Sequence, residues 1–550
     1  MSQFSKMKHS REQWKEKAKW RGKAERYERR EKTRIKSERD QLTEALKASE
    51  ARVRELETQL NGLTTRPKVD VVHFALQLFL EARISFRAVS RVLALLAGAL
   101  GIRKAPCAQT IIHWVIRLTI VRLDAARTWR GVPLDSAPFT SGLIWMIDIS
   151  IGLGAGKILA VLAFDAHHHQ WESGAPTLLH AHCIGVAVAH SWTGETLADF
   201  LGRLIATLGR PAAYLKDSGS DLHKAVDVLE TRGLGSPCID DISHAAAGML
   251  KRMYQDQPAF ERFLSACGTV SGKLKQTLLA CLAPPTVRTK ARFMNVHRLF
   301  TWADRVLQLS PLGGAKSGSM LAKLRAALGD LPACKALIKR FRDDAGGLLA
   351  CQKILKTQGL SPRTLEQCQP LISAMPTADL RREFTAYLDY ELQIATTLGL
   401  DQVGLPISSD AIESLFGVGK RHGVGEVHDA ARIALRLPAF CGAPTREEAA
   451  QVLEVSVARQ QEFTSAFTSL TQQRREVLGH PERLESLGEH RHAPHVEFIP
   501  SPKTCATNET CVHIKTIYGN HDGTPLMPPD ESRVIENTGP SLFEQTAVSA

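Results

Sequence analysis

Three acids, spaced far apart along the chain, are the residues of this sequence best placed to do chemistry. Asp148 sits near the end of an apolar run, SGLIWMIDIS, where an unpaired carboxylate costs several kcal/mol. Asp217 follows AAYLK at the C-terminal end of a second strand-like stretch, the end where open α/β sheets place their ligands. Two carboxylates converging from neighbouring strands repel unless one is protonated or a divalent cation lies between them. Hard cations such as Mg²⁺ or Mn²⁺ suit such oxygen ligands. The plain alternative is that one or both acids are solvated strand ends.

The third acid comes 196 residues after Asp217, in LPISSDAIESLFGVGKRHG. Pro406 and the cap candidates Ser408 and Ser409 precede a helix starting near Asp410. Asp410 and Glu413 share a face of that helix, as do Glu413 and Lys420, seven residues apart. A carboxylate near the start and a cation two turns on suit a metal beside a phosphate backbone. The alternative is an acidic first turn that complements the helix dipole. In Asp240-Asp241-Ile-Ser-His244, Asp241 and His244 could support the acids from behind, or His244 could simply cap the helix it opens. His167, His168 and His169 follow Asp165, but three adjacent histidines cannot all face one ion from a strand.

Positioning these residues requires a sheet. The segment from 141 reads as a strand, a turn at Gly152–Gly156, a second strand KILAVLAFDA paired as a hairpin, and a third strand LLHAHCIGVAVAHS. A helix from Thr193 or Glu195 to Leu208, the strand ending at Asp217, a helix near Leu222, a short strand SPCIDDISH and a helix Ala245–Tyr254 complete the order β-β-β-α-β-α-β-α. Three consecutive strands followed by βα units predict a mixed sheet with helices on both faces.

The flanking regions differ in character. The chain has 550 residues and a formal net charge of +13. Residues 1–36 hold 14 Lys+Arg and 5 Glu, a net of +9, whereas residues 37–60 hold 4 Lys+Arg and 6 acids, a net of −2. The basic block, with Trp14, Trp20 and Tyr27 in it, is the kind of local charge that counterion release on DNA or RNA needs; a solvated basic helix is the alternative. Leu42, Leu46, Ser49, Val53, Leu56, Leu60 and Leu63 alternate at spacings of 4 and 3, a coiled-coil seam that predicts self-association or packing on another helix. One helix over about 10–62 is expected, ended by Asn61-Gly62 and Pro67.

Residues 67–135 read as a helical module: an apolar helix starting near Val71, a second over Phe86–Ala97 capped by Ser85, and a third over Ala108–Leu118. The third opens with Gln109, Thr110 and His113, so helix, glycine-bearing turn and polar-headed helix resemble a helix-turn-helix. A plain helical linker is the alternative. Residues 256–400 are helix-like and basic, with LAKLRAALGDLPACKALIKRFRDD the clearest amphipathic stretch. TREEAAQVLEVSVARQQEFTSAFTSLTQQRREVLG reads as a helix capped by Thr445. The tail from 486, proline-bearing and without apolar periodicity, is expected to be mostly disordered.

Several classes are excluded. The longest charge-free apolar run, Val92 to Ile102, has 11 residues, too few to span a bilayer. The N-terminal stretch has no apolar h-region of a secretory signal. Eleven scattered cysteines without a CxxC rule out a zinc ribbon and argue against a disulfide scaffold.

Taken together, WMIDIS, YLKDSGSDLHKAV, IDDISHAAAGMLKRMY and SSDAIESLFGVGKRHG resemble the DDE transposases of bacterial insertion sequences. The resemblance covers about residues 140–255 and 400–440. It implies an RNase H-like α/β mixed-sheet core with residues 140–255 as its first part, an all-helical insertion over 256–400, a catalytic Glu helix and C-terminal helices over 401–485, and N-terminal coiled-coil (1–66) and helix-turn-helix (67–135) parts. It implies that Asp148, Asp217 and Glu413 hold two Mg²⁺ (or Mn²⁺) ions for DNA cleavage and strand transfer, with Asp410 as the substitute third acid. By the same resemblance Lys420 contacts the transposon end beside Arg421, while Gln109, Thr110 and His113 bind terminal repeats. The implied partners are DNA and a second protomer in a synaptic complex, and the implied location is the bacterial cytoplasm at the nucleoid. The competing readings are a catalytically inactive DNA-binding regulator and a nuclease of the same fold.

Overall fold

The computed structural model describes residues 3–60, 68–102, 104–126, 142–150, 156–286, 293–309, 314–421, 429–465, 470–484 and 494–498. The chain is mixed α/β, mostly helical, and built around one mixed sheet. Strands β1 (Ile144–Ile149), β2 (Lys157–Phe164) and β3 (Ala181–Ala189) run antiparallel in succession. β4 (Ala213–Lys216) and β5 (Cys238–Asp240) lie parallel to β1 on its other side, giving the order β5-β4-β1-β2-β3. A sixth strand, β6 (Pro494–Phe498), pairs antiparallel with β3 at the far edge. This strand falls within the stretch whose composition predicts disorder. The rest of residues 485–550 lies outside the described residues.

Alternation along the strands splits the sheet into two faces. Trp145, Ile147 and Tyr214 point to one face, which α5 (Gly194–Leu208) and α6 (Ser220–Thr231) cover with Leu197, Phe200, Leu201, Leu204, Leu222 and Leu229. Ile144, Met146, Ala213 and Leu215 point to the other, where α7 (Ile242–Tyr254) and, much later in the chain, α14 (Asp410–Arg421) pack with Ile242, Ala246, Ile412 and Leu415. The expected helix over Ala245–Tyr254 starts three residues earlier because Asp241 caps it, accepting from the His244 backbone N–H at 2.9 Å.

Between α7 and α14 lie only helices among the described residues: α8 (Pro258–Lys275), α9 (Val296–Gln308), α10 (Met320–Leu328), α11 (Lys335–Gln358), α12 (Pro362–Ser373) and α13 (Ala378–Thr397). The amphipathic stretch read as one unit is split between α10 and α11, since Gly329 takes φ +51° and Pro332 follows in a short 3₁₀ turn. The aromatic core of this block stacks Phe300 on Phe263 and on Phe341 with ring centroids 4.0 and 3.9 Å apart. α13 reaches back to cover the exposed edge of β5: the Asp240 backbone N–H donates to Glu391 and the Tyr387 hydroxyl donates to the Asp240 carbonyl. An edge so covered cannot recruit a foreign strand.

At the N-terminus, α1 (Gln3–Leu60) is one continuous helix. Within the seam, Leu42 and Leu46 are 72% and 59% exposed, so a single chain leaves these two positions uncovered. α2 (Lys68–Leu80), α3 (Phe86–Leu95) and α4 (Ala108–Ala125) follow, with Ser85 capping α3 through the Ala88 N–H. The expected helix-turn-helix is corrected in two respects. Residues 96–107 separate α3 from α4, where such motifs use a turn of about 3–4 residues. Moreover, α4 runs to Ala125 instead of Leu118 and is buried from Ile111 to Leu123 on most of its surface. Arg122, 6% exposed, pins it to the C-terminal segment by donating to the Ala439, Gly442 and Ala443 carbonyls and to both oxygens of Glu448. The C-terminal stretch read as one helix is three, α16 (Arg446–Glu454), α17 (Val457–Ser465) and α18 (Leu470–Gly479), preceded by the short α15 (Ala430–Ala434). Thr445 and Glu448 form a capping box on α16, and the Ser456 hydroxyl accepts from the Arg459 N–H, starting a new helix.

Candidate functional site

Asp148 and Asp217 meet because of strand register. Ile147 of β1 is paired with Lys216 of β4 in a parallel ladder, so the next position on each strand is an aspartate. Both lie at the C-terminal ends of their strands. By alternation both belong with Met146 and Leu215 on the face packed by α7 and α14. The loop after β4 is shaped by Asp217 itself, whose Oδ1 accepts from the Gly219 N–H at 3.0 Å. The Ile149 N–H donates to Asp148 Oδ1 at 2.6 Å.

Glu413 arrives from α14, which packs on β1 and β2. It is half-buried, one turn inside the helix start. Burial raises the Asp148 carboxyl to about 7, and the nearby charges of Asp217 and then Glu413 push in the same direction. Asp148 therefore senses both of the other acids. Asp410, the alternative third acid, is exposed and pairs with Lys356, whose Nζ lies 2.6 Å from its Oδ2.

His244 and Asp241 join this group as a clamp. Asp241 is 1% exposed. One of its oxygens accepts from the His244 N–H at 2.9 Å and lies 3.1 Å from His244 Nδ1. The other accepts from the Ser409 N–H and hydroxyl at 2.7 and 3.0 Å. The Ile242 N–H also donates to the Ile407 carbonyl. The start of α7 and the start of α14 are thereby fastened to one carboxylate, fixing His244 and Glu413 relative to each other. Burial by itself would raise the Asp241 carboxyl, but the hydrogen bonds from His244 and Ser409 outweigh it and hold it at about 2. Its partner His244 is raised, first by the bond to Asp241 and further by the charges of Asp217 and Glu413. His244 thus favours the imidazolium beside the acids. Ser409, read from sequence as a helix cap, spends its hydroxyl on this clamp; only a contact across 168 residues reveals that.

The donor set is three carboxylates with no thiolate, the chemistry of a hard-cation site. Among the described residues, no three His, Cys, Asp or Glu side chains are already gathered as a ready-made metal site. The raised Asp148 is first an effect of burial, to which the charges of Asp217 and Glu413 add; a divalent cation beside these carboxylates would offset that cost. Lys420 is half-buried and Arg421 exposed, at the far end of α14 from Glu413. Gln109, exposed, and Thr110 and His113, both half-buried, lie at the head of α4, and Gln109 Nε2 is 2.8 Å from His113 Nε2. Of α4, Gln109 at this head and Ala125 at the other end are the exposed residues. The triple histidine does not converge: His168 pairs with Asp165, while His169 packs against Phe164, Trp171 and His180 and bonds the Gly174 carbonyl. A second buried charge group lies beside the acids, with Lys216, 1% exposed, 2.7 Å from Asp240 and 3.1 Å from His223.

Among the described residues no helix is long and apolar enough to cross a membrane. Compared with known families and proteins, the chain matches no family model, and no curated protein matches it.

Proposed function

We propose that this chain is a metal-dependent DNA strand transferase of the DDE transposase kind, with an RNase H-like core interrupted by the helical block between α7 and α14. The observation that carries this reading is that Asp148 and Asp217 directly follow Ile147 and Lys216, the last paired residues of the parallel strands β1 and β4, with Glu413 close enough on α14 to raise Asp148. Asp148, Asp217 and Glu413 would hold the Mg²⁺ or Mn²⁺ ions, two in the usual scheme. When bound, such ions activate an attacking oxygen and stabilise the leaving 3′-oxygen of a phosphodiester. The residues of the chain align the reaction. Asp241 fixes the geometry of His244 and Glu413, and the His244 imidazolium offers a positive charge to a scissile phosphate. Lys420 and Arg421 extend that positive surface along α14. The basic α1 and the head of α4 would grip the ends of the element, and the leucine seam would join two protomers at paired ends. This activity belongs at the bacterial chromosome in the cytoplasm.

The test is incubation of the full chain with its own flanking DNA ends and Mg²⁺, scored separately for strand cleavage and for joining to a target. Cleavage and joining support the proposal. Cleavage alone makes the chain a nuclease of the same fold, and end-binding without either makes it an inactive DNA-binding regulator.

A further inference from the structure

The helical block contains a pocket remote in sequence from the acid cluster. It encloses about 590 Å³ and is lined from the segment 281–285 and from α9, within the usual range of small-molecule sites. Its walls are largely apolar, with Leu282, Val306 and Leu309 among them. Trp302 is fixed there, its indole N–H donating to the Leu282 carbonyl at 3.0 Å. Arg298, Thr301, Trp302 and Arg305 follow one another at helical spacing, so they form one stripe of α9 facing the pocket. Both arginines are exposed, and neither has a hydrogen-bond or ion-pair partner among the described residues. The acid beside them, Asp304, is already taken by Arg342. Two exposed guanidiniums without a side-chain partner among the described residues, lining a largely apolar pocket beside an indole, select a ligand that is flat at one end and anionic at the other.

The geometry points to a nucleotide-binding pocket on α9, with the base lying against Trp302 and the phosphate held by Arg298 and Arg305. Aromatic stacking and guanidinium–phosphate pairing are each tolerant of base identity. His297, whose pKa burial and the charge of Arg342 lower, lines the same pocket. The pocket does not depend on the acid cluster, and its test is independent of strand cleavage.

The probes are deoxyadenosine monophosphate, deoxyadenosine, and a short single-stranded oligonucleotide carrying 5-iodouracil, each added to the full-length protein. The mononucleotide is expected to bind at least tenfold more tightly than the nucleoside, and the double variant Arg298→Glu/Arg305→Glu to lose at least tenfold in that affinity with unchanged circular dichroism. Binding of the free mononucleotide identifies a free nucleotide as the source. Photo-cross-linking of the oligonucleotide to Trp302, with no mononucleotide binding, identifies an unpaired nucleotide of a strand. The proposal is overturned if neither the mononucleotide binds nor the oligonucleotide cross-links at Trp302, or if the double variant, still folded, retains wild-type affinity for the probe that does.

Discussion

Replacing Asp148 by asparagine should stabilise the metal-free protein, and by an amount that depends on pH. The Asp148 carboxyl moves from an ordinary value of 3.8 to about 7 in the folded chain. In the unfolded chain it ionises freely, so between pH 4 and 7 the native state binds more protons than the unfolded one. Stability therefore falls as pH rises through that window and levels off above 7. That rise corresponds to about 4 kcal/mol at pH 8, and to about 2 kcal/mol at pH 5. Asparagine keeps an acceptor for the Ile149 N–H and has no proton to lose. Its advantage over the wild type should thus grow by about 2–3 kcal/mol between pH 5 and pH 8. His244, with its raised value, stabilises below about pH 6.5 and loses that contribution as pH rises through its folded value, so the wild-type slope has the same sign from both groups. The assay is urea unfolding followed by circular dichroism in EDTA at the two pH values. Adding Mg²⁺ at pH 8 should raise the wild type more than the variant, since the ion binds only the native carboxylates. An advantage equal at both pH values, or a variant less stable at pH 8, would refute the reasoning.

Other expectations follow from single contacts. Asp241→Ala removes the shared acceptor of Ser409 and His244 and should cost about 3–5 kcal/mol in urea unfolding. Arg122→Ala leaves several buried carbonyls and Glu448 without their donor, a loss of about 3–5 kcal/mol that should lower the thermal midpoint. Gly359→Ala places a Cβ 2.6 Å from Trp171 Cζ2 at φ +71°; a loss of about 1–3 kcal/mol is expected, measurable by the same unfolding curve.

Much of this arrangement is legible in the sequence where the signal is local. The strand order, the caps at Ser85 and Thr445 and the helix from Asp410 follow from alternation, apolar periodicity and side chains that bond their own backbone neighbours. The pairing of Asp148 with Asp217 needs register, which pattern restricts but does not set. Contacts between distant segments leave no local trace. Nothing near Ser409 announces Asp241, nothing near Asp410 announces Lys356, and α13 as the cover of β5 is visible only once Glu391 and Tyr387 meet Asp240. The head of α4 reads as a recognition helix because polar Gln109 and Thr110 precede an apolar stretch. That stretch is apolar because it is buried against the C-terminal helices, with Arg122 as its buried anchor.

The central claim rests on which acids act together. The most direct measurement is single-turnover strand cleavage with Mg²⁺ by the wild type and by Asp148→Ala, Asp217→Ala, Glu413→Gln and Asp410→Asn, with end-binding followed in parallel. The first three variants are predicted to bind DNA ends and cut nothing. Asp410→Asn, which breaks only the pair with Lys356, is predicted to cut at close to the wild-type rate. Normal cleavage by Glu413→Gln, or loss of cleavage confined to Asp410→Asn, would contradict the assignment.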